Sequence, residues 1–277
     1  MTVWISVNGF GRLVSAETAS VSVFDHGITV GDGVFETLKI VDGEPFALSR
    51  HLQRLRQSAQ ILKLTVPDEN DLREAVAAVL NAHGEHRSRG RLRITVTAGE
   101  GPLGSDRSSR LPTWIIATSA LPTWPSSSSI VTIDGLRNPR SLIAGAKTTS
   151  YAENVVALEL AHNQGASEAI VGTVDGLVCE GTGSNVFAVI DQQVCTPTLS
   201  TGCLDGITRQ LVLQWSQAIE RDFTMEQLRD AREVFITSST RDVHPVTAID
   251  GRILAVGPRT AMIAGDFAKR CAWDIDP

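Results

Sequence analysis

Apolar and polar positions divide this chain into short strands at its start and a mixture of strands and helices further on. Residues 2–7, 12–14 and 21–23 are apolar-rich and separated by Asn8-Gly9 and the polar run Ser15 to Ala19, which predicts three short strands. Val34 to Ile40 alternates enough to form a strand, Asp42-Gly43 supplies a hairpin turn, and Pro45 to Leu48 returns. Ser49 is placed to cap a helix in which Leu52, Leu55, Ala59 and Leu62 recur at helical spacing, with His51 and Arg54 on adjoining faces. Asp68 or Asn70 opens a second amphipathic helix, with Leu72, Val76, Val79 and Leu80 inward and Gly84 as its stop. Arg91 to Ala98 and Thr113 to Ala120 read as strands. The Gly/Ser-rich loop 99–110 between them carries Arg107 and Arg110 and reads as an exposed connector or as a lid bringing cations to an acidic substrate.

LPTWPSSSS at 121–129 combines prolines with serines and reads as a linker. It separates a small N-terminal α/β domain, 1–120, from a larger C-terminal one, 130–277. The latter begins with a strand at 130–134. A helix from Tyr151 to Asn163 follows, with Val155, Leu158 and Ala161 as its stripe and Gly165 as its stop. Strands are expected at 168–172, 177–180, 185–190 and 194–196, and a tight loop from Gly202 to Thr208 opens a helix through Ile219. A short helix at 225–232, a strand at 233–238 and a closing helix at 259–271 complete an α/β chain in two parts.

With 277 residues the chain exceeds the usual single-domain size, in keeping with that division. A net charge of -6 offers no general attraction to nucleic acid or an anionic membrane and makes a small-molecule ligand the expectation. No segment is long and apolar enough to span a bilayer, and the N-terminus lacks a basic stretch leading into an apolar run. Cys179, Cys195, Cys203 and Cys271 show no CxxC spacing and form no Cys/His cluster, so no metal site is expected and the thiols read as those of a reduced, cytoplasmic protein.

The candidate chemistry centres on Lys147. Only Lys39, Lys63, Lys147 and Lys269 are lysines among 25 basic residues, and Lys147 lies between Ala146 and Thr148. An amine can lose its proton and form an imine with an aldehyde, which a guanidinium cannot. Glu180 follows at a strand end, before Gly181, Gly183 and Ser184, where a carboxylate could hold a pyridine nitrogen protonated. Asp205-Gly206-Ile207-Thr208 then opens a helix whose first N–H groups, with the Thr208 hydroxyl, favour a phosphate. Singly, these are a strand-end lysine, a salt-bridging glutamate and a helix cap. In this order they point to pyridoxal phosphate.

GDGVFETLKI, HLQRLRQSA, AKTTSYAENV, CEGTGSNVFAV, LDGITRQLV and EVFITSSTRDVHPV run nearly end to end through the chain. On these motifs it resembles the fold-type IV pyridoxal-phosphate enzymes, the class IV aminotransferase family. That family includes branched-chain and D-amino acid aminotransferases, R-selective amine transaminases and 4-amino-4-deoxychorismate lyase. The resemblance implies a two-domain α/β fold like that of D-amino acid aminotransferase, with pyridoxal 5'-phosphate in the interdomain cleft. It also implies a homodimer whose partner chain completes the site. Lys147 would be the imine-forming lysine and proton shuttle, and Glu180 would face the pyridine nitrogen. Arg54, Ile207, Thr208, Ser239 and Thr240 would hold the phosphate, and Tyr151 would contact the cofactor.

Within the family, GDGVFETLKI has the form common among the lyases, and the Arg-x-His pair of D-amino acid enzymes is missing. Arg241, in a turn that is uncharged in branched-chain enzymes, and Arg107 would bind an acidic substrate. The expectation is therefore a 4-amino-4-deoxychorismate lyase that releases pyruvate and 4-aminobenzoate for folate synthesis. A class IV transaminase is the alternative, and a cofactor-binding protein without catalysis is the remote one.

Overall fold

The computed structural model describes residues 2–82, 89–107 and 111–277. Gly84 and Arg110 lie outside the described residues. The chain forms two compact units. Unit 1 comprises Met1–Pro122, Ala146–Tyr151 and Ile275–Pro277, and unit 2 comprises Thr123–Gly145 and Ala152–Asp274. This differs from the contiguous halves expected around 121–129. Residues 146–151 and 275–277 belong with unit 1 because their backbones bond to it. Ser128 already begins a strand, so the serine-rich end of the expected linker is partly structured.

Unit 1 is built on strands β1 (Thr2–Val7), β2 (Phe10–Ser15), β3 (Gly33–Val41), β4 (Glu44–Pro45), β5 (Arg89–Thr97) and β6 (Thr113–Ala120), with the short helix α1 (His26–Thr29) between β2 and β3. Their spatial order is β2-β1-β6-β5-β3-β4, antiparallel throughout. Helices α2 (Leu48–Leu62) and α3 (Glu69–Ala82) set Leu52, Leu55, Leu72, Val76 and Val79 against Val34, Leu38, Ile40, Leu92 and Ile94 in one core. The period of two along β3 sends Val34, Leu38 and Ile40 into that core, and Phe35 lies on the alternate face.

Two local expectations fail. Residues 21–23 form no strand, and Val23 and Phe24 are exposed. Ser49 is not the cap of α2, for Ala47 occupies that position in a left-handed conformation with no side-chain bond. Instead Asp276 accepts from the Ser49 N–H at 2.8 Å and from its hydroxyl at 2.5 Å, while the Ala47 N–H donates to the Ile275 carbonyl at 2.7 Å.

Unit 2 contains β7 (Ser128–Arg137), α4 (Ala152–Asn163), β8 (Glu168–Thr173), β9 (Val178–Gly181), β10 (Asn185–Ile190), β11 (Gln193–Thr196), α5 (Ile207–Trp215), β12 (Ile219–Glu220), α6 (Met225–Asp230), β13 (Val234–Ser238), β14 (Asp242–Ile249), β15 (Arg252–Ile253) and α7 (Pro258–Cys271). The strand order is β12-β11-β10-β13-β14-β7-β8-β9, with β15 on β14. The sheet is parallel through β14, β7 and β8 and between β11 and β12, and antiparallel elsewhere.

Strand β14 is absent from the sequence reading because Pro245 interrupts its run, and a proline cannot donate to a ladder. The inward stripe of α4 also differs. Ala157 and Ala161 are its buried residues, whereas Val155 is 62% exposed. Among the described residues no helix is long and apolar enough to cross a membrane.

Candidate active site

The lysine segment is held by strand-like pairing. The Phe35 N–H donates to the Lys147 carbonyl at 3.0 Å, the Thr149 N–H to the Gly33 carbonyl at 2.8 Å, and Val34 bridges Thr148. The Lys147 N–H donates to the hydroxyl of Ser58 on α2 at 3.0 Å. Lys147 Nζ lies 4.5 Å from the centroid of the Phe35 ring and 5.8 Å from that of Tyr151. Phe35 and Tyr151 meet edge to face at 5.3 Å. Tyr151 thus shares the Phe35 ring with Lys147.

Arg93, on β5 opposite Thr37, places its guanidinium 3.7 Å from the same Phe35 ring. Burial lowers its pKa and Tyr151 pulls the other way. The sequence reading did not single out Arg93, which shares the Phe35 ring with Lys147. Its signal was register, since Arg91, Arg93 and Thr95 share one face of β5 opposite Lys39, Thr37 and Phe35 of β3.

On the opposite face of β3, Glu36 is fully buried. It accepts from Arg54 Nε at 2.8 Å and Nη2 at 2.7 Å, and its Oε2 lies 2.6 Å from His51 Nδ1. Burial alone would raise the Glu36 pKa, but the charge and hydrogen bonds of Arg54 and His51 outweigh it and hold the carboxyl well below its usual range. Burial lowers His51, against the pull of Glu36. Arg54 therefore has Nε and Nη2 engaged by Glu36.

In unit 2, Glu180 is the penultimate residue of β9, with its side chain 14% exposed. It accepts from the Leu204 N–H at 2.9 Å and lies 3.4 Å from Arg137 Nη2, which fixes its orientation. The Leu204 carbonyl in turn accepts from Asn185 Nδ2 at 2.8 Å. Gly206 begins α5 without a side-chain cap, and a β-carbon there would come within 1.9 Å of Asn185 Oδ1. Only glycine lets the chain approach so closely, and the first N–H groups of α5, at Ile207 and Thr208, are what a phosphate requires. Ser239 and Thr240 form the turn between β13 and β14.

The two substrate arginines expected from sequence have acid partners. Arg107 donates to both oxygens of Asp32 at 2.6 Å and to the Lys63 carbonyl at 3.0 Å, so it tethers loop 99–107 within unit 1. Arg241 Nη1 lies 3.3 Å from Glu168 Oε2, and its guanidinium stacks 4.0 Å from the Trp124 ring centroid. Neither is an uncommitted cation.

The amino-transferase class IV family profile matches residues 33–249. The chain belongs to the class IV aminotransferase family. A Methanocaldococcus jannaschii protein, provisionally named a branched-chain-amino-acid aminotransferase, is 34% identical over 96% of each chain. A Bacillus licheniformis D-alanine aminotransferase is 33% identical over 89% of each. The crystal structure of a Thermoproteus uzoniensis branched-chain aminotransferase with norvaline superposes with a TM-score of 0.89 at 30% identity, covering 97% of this chain and 94% of the other. A Legionella pneumophila protein provisionally named 4-amino-4-deoxychorismate lyase reaches 0.85 at 23% identity over 92% and 96%, which shows a shared fold alone.

This class IV aminotransferase family member is an α/β fold-type IV enzyme with two sheet units. Its cofactor is pyridoxal phosphate, as in relatives whose structures contain it. The Lys147 amine beside aromatic rings in unit 1, and the oriented Glu180 carboxylate and the glycine-start helix in unit 2, are each of a kind suited to that group. Among the described residues no His, Cys, Asp and Glu cluster could hold a metal.

Proposed function

We propose that the chain is a pyridoxal-phosphate-dependent transaminase that exchanges an amino group between an α-amino acid and a 2-oxo acid. The observation that carries this reading is the environment of Lys147 Nζ, an amine sharing the Phe35 ring with the Arg93 guanidinium. An amine that moves a proton and a cation that holds a carboxylate are the two groups such an exchange needs. The named relatives, branched-chain and D-alanine aminotransferases, agree with it.

In this reading Lys147 would hold the cofactor through its amine, and Glu180 would keep the ring nitrogen protonated. Arg54, Ile207, Thr208, Ser239 and Thr240 hold the phosphate, while Tyr151 and Phe35 flank the lysine. When bound, the cofactor supplies an electron sink for the bond next to the amine. Lys147 takes the α-proton from the substrate and returns it elsewhere, and the direction of that return separates transamination from other outcomes.

The lyase expectation rested on GDGVFETLKI, on the missing Arg-x-His pair and on Arg241 as an added substrate cation. The pairing of Arg241 with Glu168 weakens the last of these supports. We further place the enzyme in the cytoplasm, where the buried Cys179, Cys195 and Cys203 stay reduced. We also propose a homodimer, because α4 presents Val155, Val156 and Leu160 at 62%, 61% and 48% exposure although its opposite side is packed.

The test is to load the protein with pyridoxal phosphate and add branched-chain, D- and acidic amino acids separately, following 2-oxo acid formation. Transamination predicts a 2-oxo acid in the presence of an oxo-acid acceptor and loss of the imine's visible absorption without one. Lys147→Ala should lack both signals. Stoichiometric pyruvate and 4-aminobenzoate from 4-amino-4-deoxychorismate, with no response to any amino acid, would make it the lyase.

A further inference from the structure

The buried carboxylate of Glu168, at the start of β8, gathers donors from two separate segments of unit 2. The Thr182 N–H donates at 3.0 Å, the Thr182 hydroxyl also donates, and the Ser184 hydroxyl donates at 3.1 Å. These residues form the loop that leaves Glu180. Ser184 Oγ lies 2.2 Å from where a β-carbon on Gly181 would be, so the loop closes tightly because residue 181 has no side chain. From the other side Arg241 Nη1 reaches Glu168 Oε2 at 3.3 Å.

Arg241 belongs to the turn after β13. Its N–H donates to the Ser238 carbonyl and Ser238 Oγ, each at 3.3 Å. Its guanidinium stacks on Trp124, whose Nε1 donates to the Thr240 carbonyl at 3.1 Å. Turn 238–241 is thus held at its Thr240-Arg241 end by a charged bond and an indole together. A stacked, paired guanidinium is rigid in a way that a free surface arginine is not.

We infer that Glu168, Arg241 and Trp124 are positioning residues that fix the Ser239-Thr240 turn relative to the loop following Glu180. Arg241 governs how the site grips ligands without touching them. This rests on the proposed contact of Ser239 and Thr240 with cofactor or substrate. A carboxylate taken out of water with several donors is costly to disturb, so it makes a stiff joint between two such segments.

The test uses the intact, cofactor-loaded protein with Arg241→Met, Arg241→Lys and Trp124→Leu. Cofactor affinity and the circular dichroism of the bound cofactor are measured alongside melting temperature. KM and kcat are measured for one monocarboxylate and one dicarboxylate amino donor. Arg241→Met should raise KM for both donors by a similar factor, about tenfold, as expected for a small displacement of positioning groups. It should also alter the cofactor's dichroism, and it should lower the melting temperature because Glu168 loses its buried counter-charge. Trp124→Leu should act the same way, and Arg241→Lys, which keeps the charge but not the stacked plane, should fall between.

A rise confined to the dicarboxylate donor would overturn the inference and make Arg241 a direct substrate ligand. Unchanged KM and unchanged dichroism would overturn it too, leaving Arg241 as the counter-charge of Glu168. If no donor reacts, the transaminase reading fails while affinity and dichroism still decide the positioning role.

Discussion

Glu36, His51 and Arg54 show how one β-strand residue can turn an apolar face into a charged joint. Both pKa shifts in the pair His51 and Glu36 are depressions, so both remove stability on acidification. Below pH 6.5 the unfolded chain binds a proton at residue 51 that the folded protein resists, and below pH 4.5 the same holds at residue 36. The melting temperature should fall from about pH 6.5 downward and fall more steeply below about pH 4.5. His51→Gln should flatten the upper part only. The flattening will be partial because burial and Arg241 also depress His244. A pH series of thermal melts on both proteins checks this, and an identical upper slope would refute it. Lys147 and Arg54 could be nominated from sequence because each sits in a recognisable motif. Glu36 was not singled out, although a carboxylate between Val34 and Leu38 on the helix-facing side of a strand has to find a partner. Arg93 was missed because its meaning lies in register with β3, which the chain does not state.

At the scale of elements, patterns within one segment were readable and those completed from afar were not. The strand β6 matches its expected bounds, and α2, α3 and α7 lie where periodicity put them, whereas α5, expected to run through Ile219, stops at Trp215 and Ile219 begins β12. The start of α2 shows the limit. Local chemistry nominated Ser49, yet the capping oxygen comes from Asp276, 227 residues away. Asp276→Ala should destabilise the protein by about 1 kcal/mol, the usual worth of an N-terminal cap. Urea denaturation reads this directly, and an unchanged midpoint would show that the Ala47 to Ile275 bond suffices alone. In α4 the apolar residues nearly encircle the helix, so sequence could not say which side faces inward; the small Ala157 and Ala161 do.

For the whole molecule, the family and cofactor were legible from six motifs in order, while the choice of reaction was not, because the roles that the resemblance assigns to Lys147, Glu180 and the phosphate-binding residues would serve every member alike. The exposed side of α4 carries the remaining expectation. Val156→Asp should turn a dimer into a monomer in sedimentation or light scattering, with the helical content kept. A dimer that survives would place the interface elsewhere. The path of the chain through the units has a practical consequence. The segment bearing Lys147 pairs with Gly33 and Phe35 after the chain has already left unit 1 at Pro122. A gene split at the serine-rich stretch would therefore give two fragments with the lysine in the wrong one. The first would expose the backbone of β3 as a bare edge open to other strands. Any attempt to reconstitute activity from separately produced pieces would have to carry residues 146–151 with the N-terminal piece or add them back as a peptide.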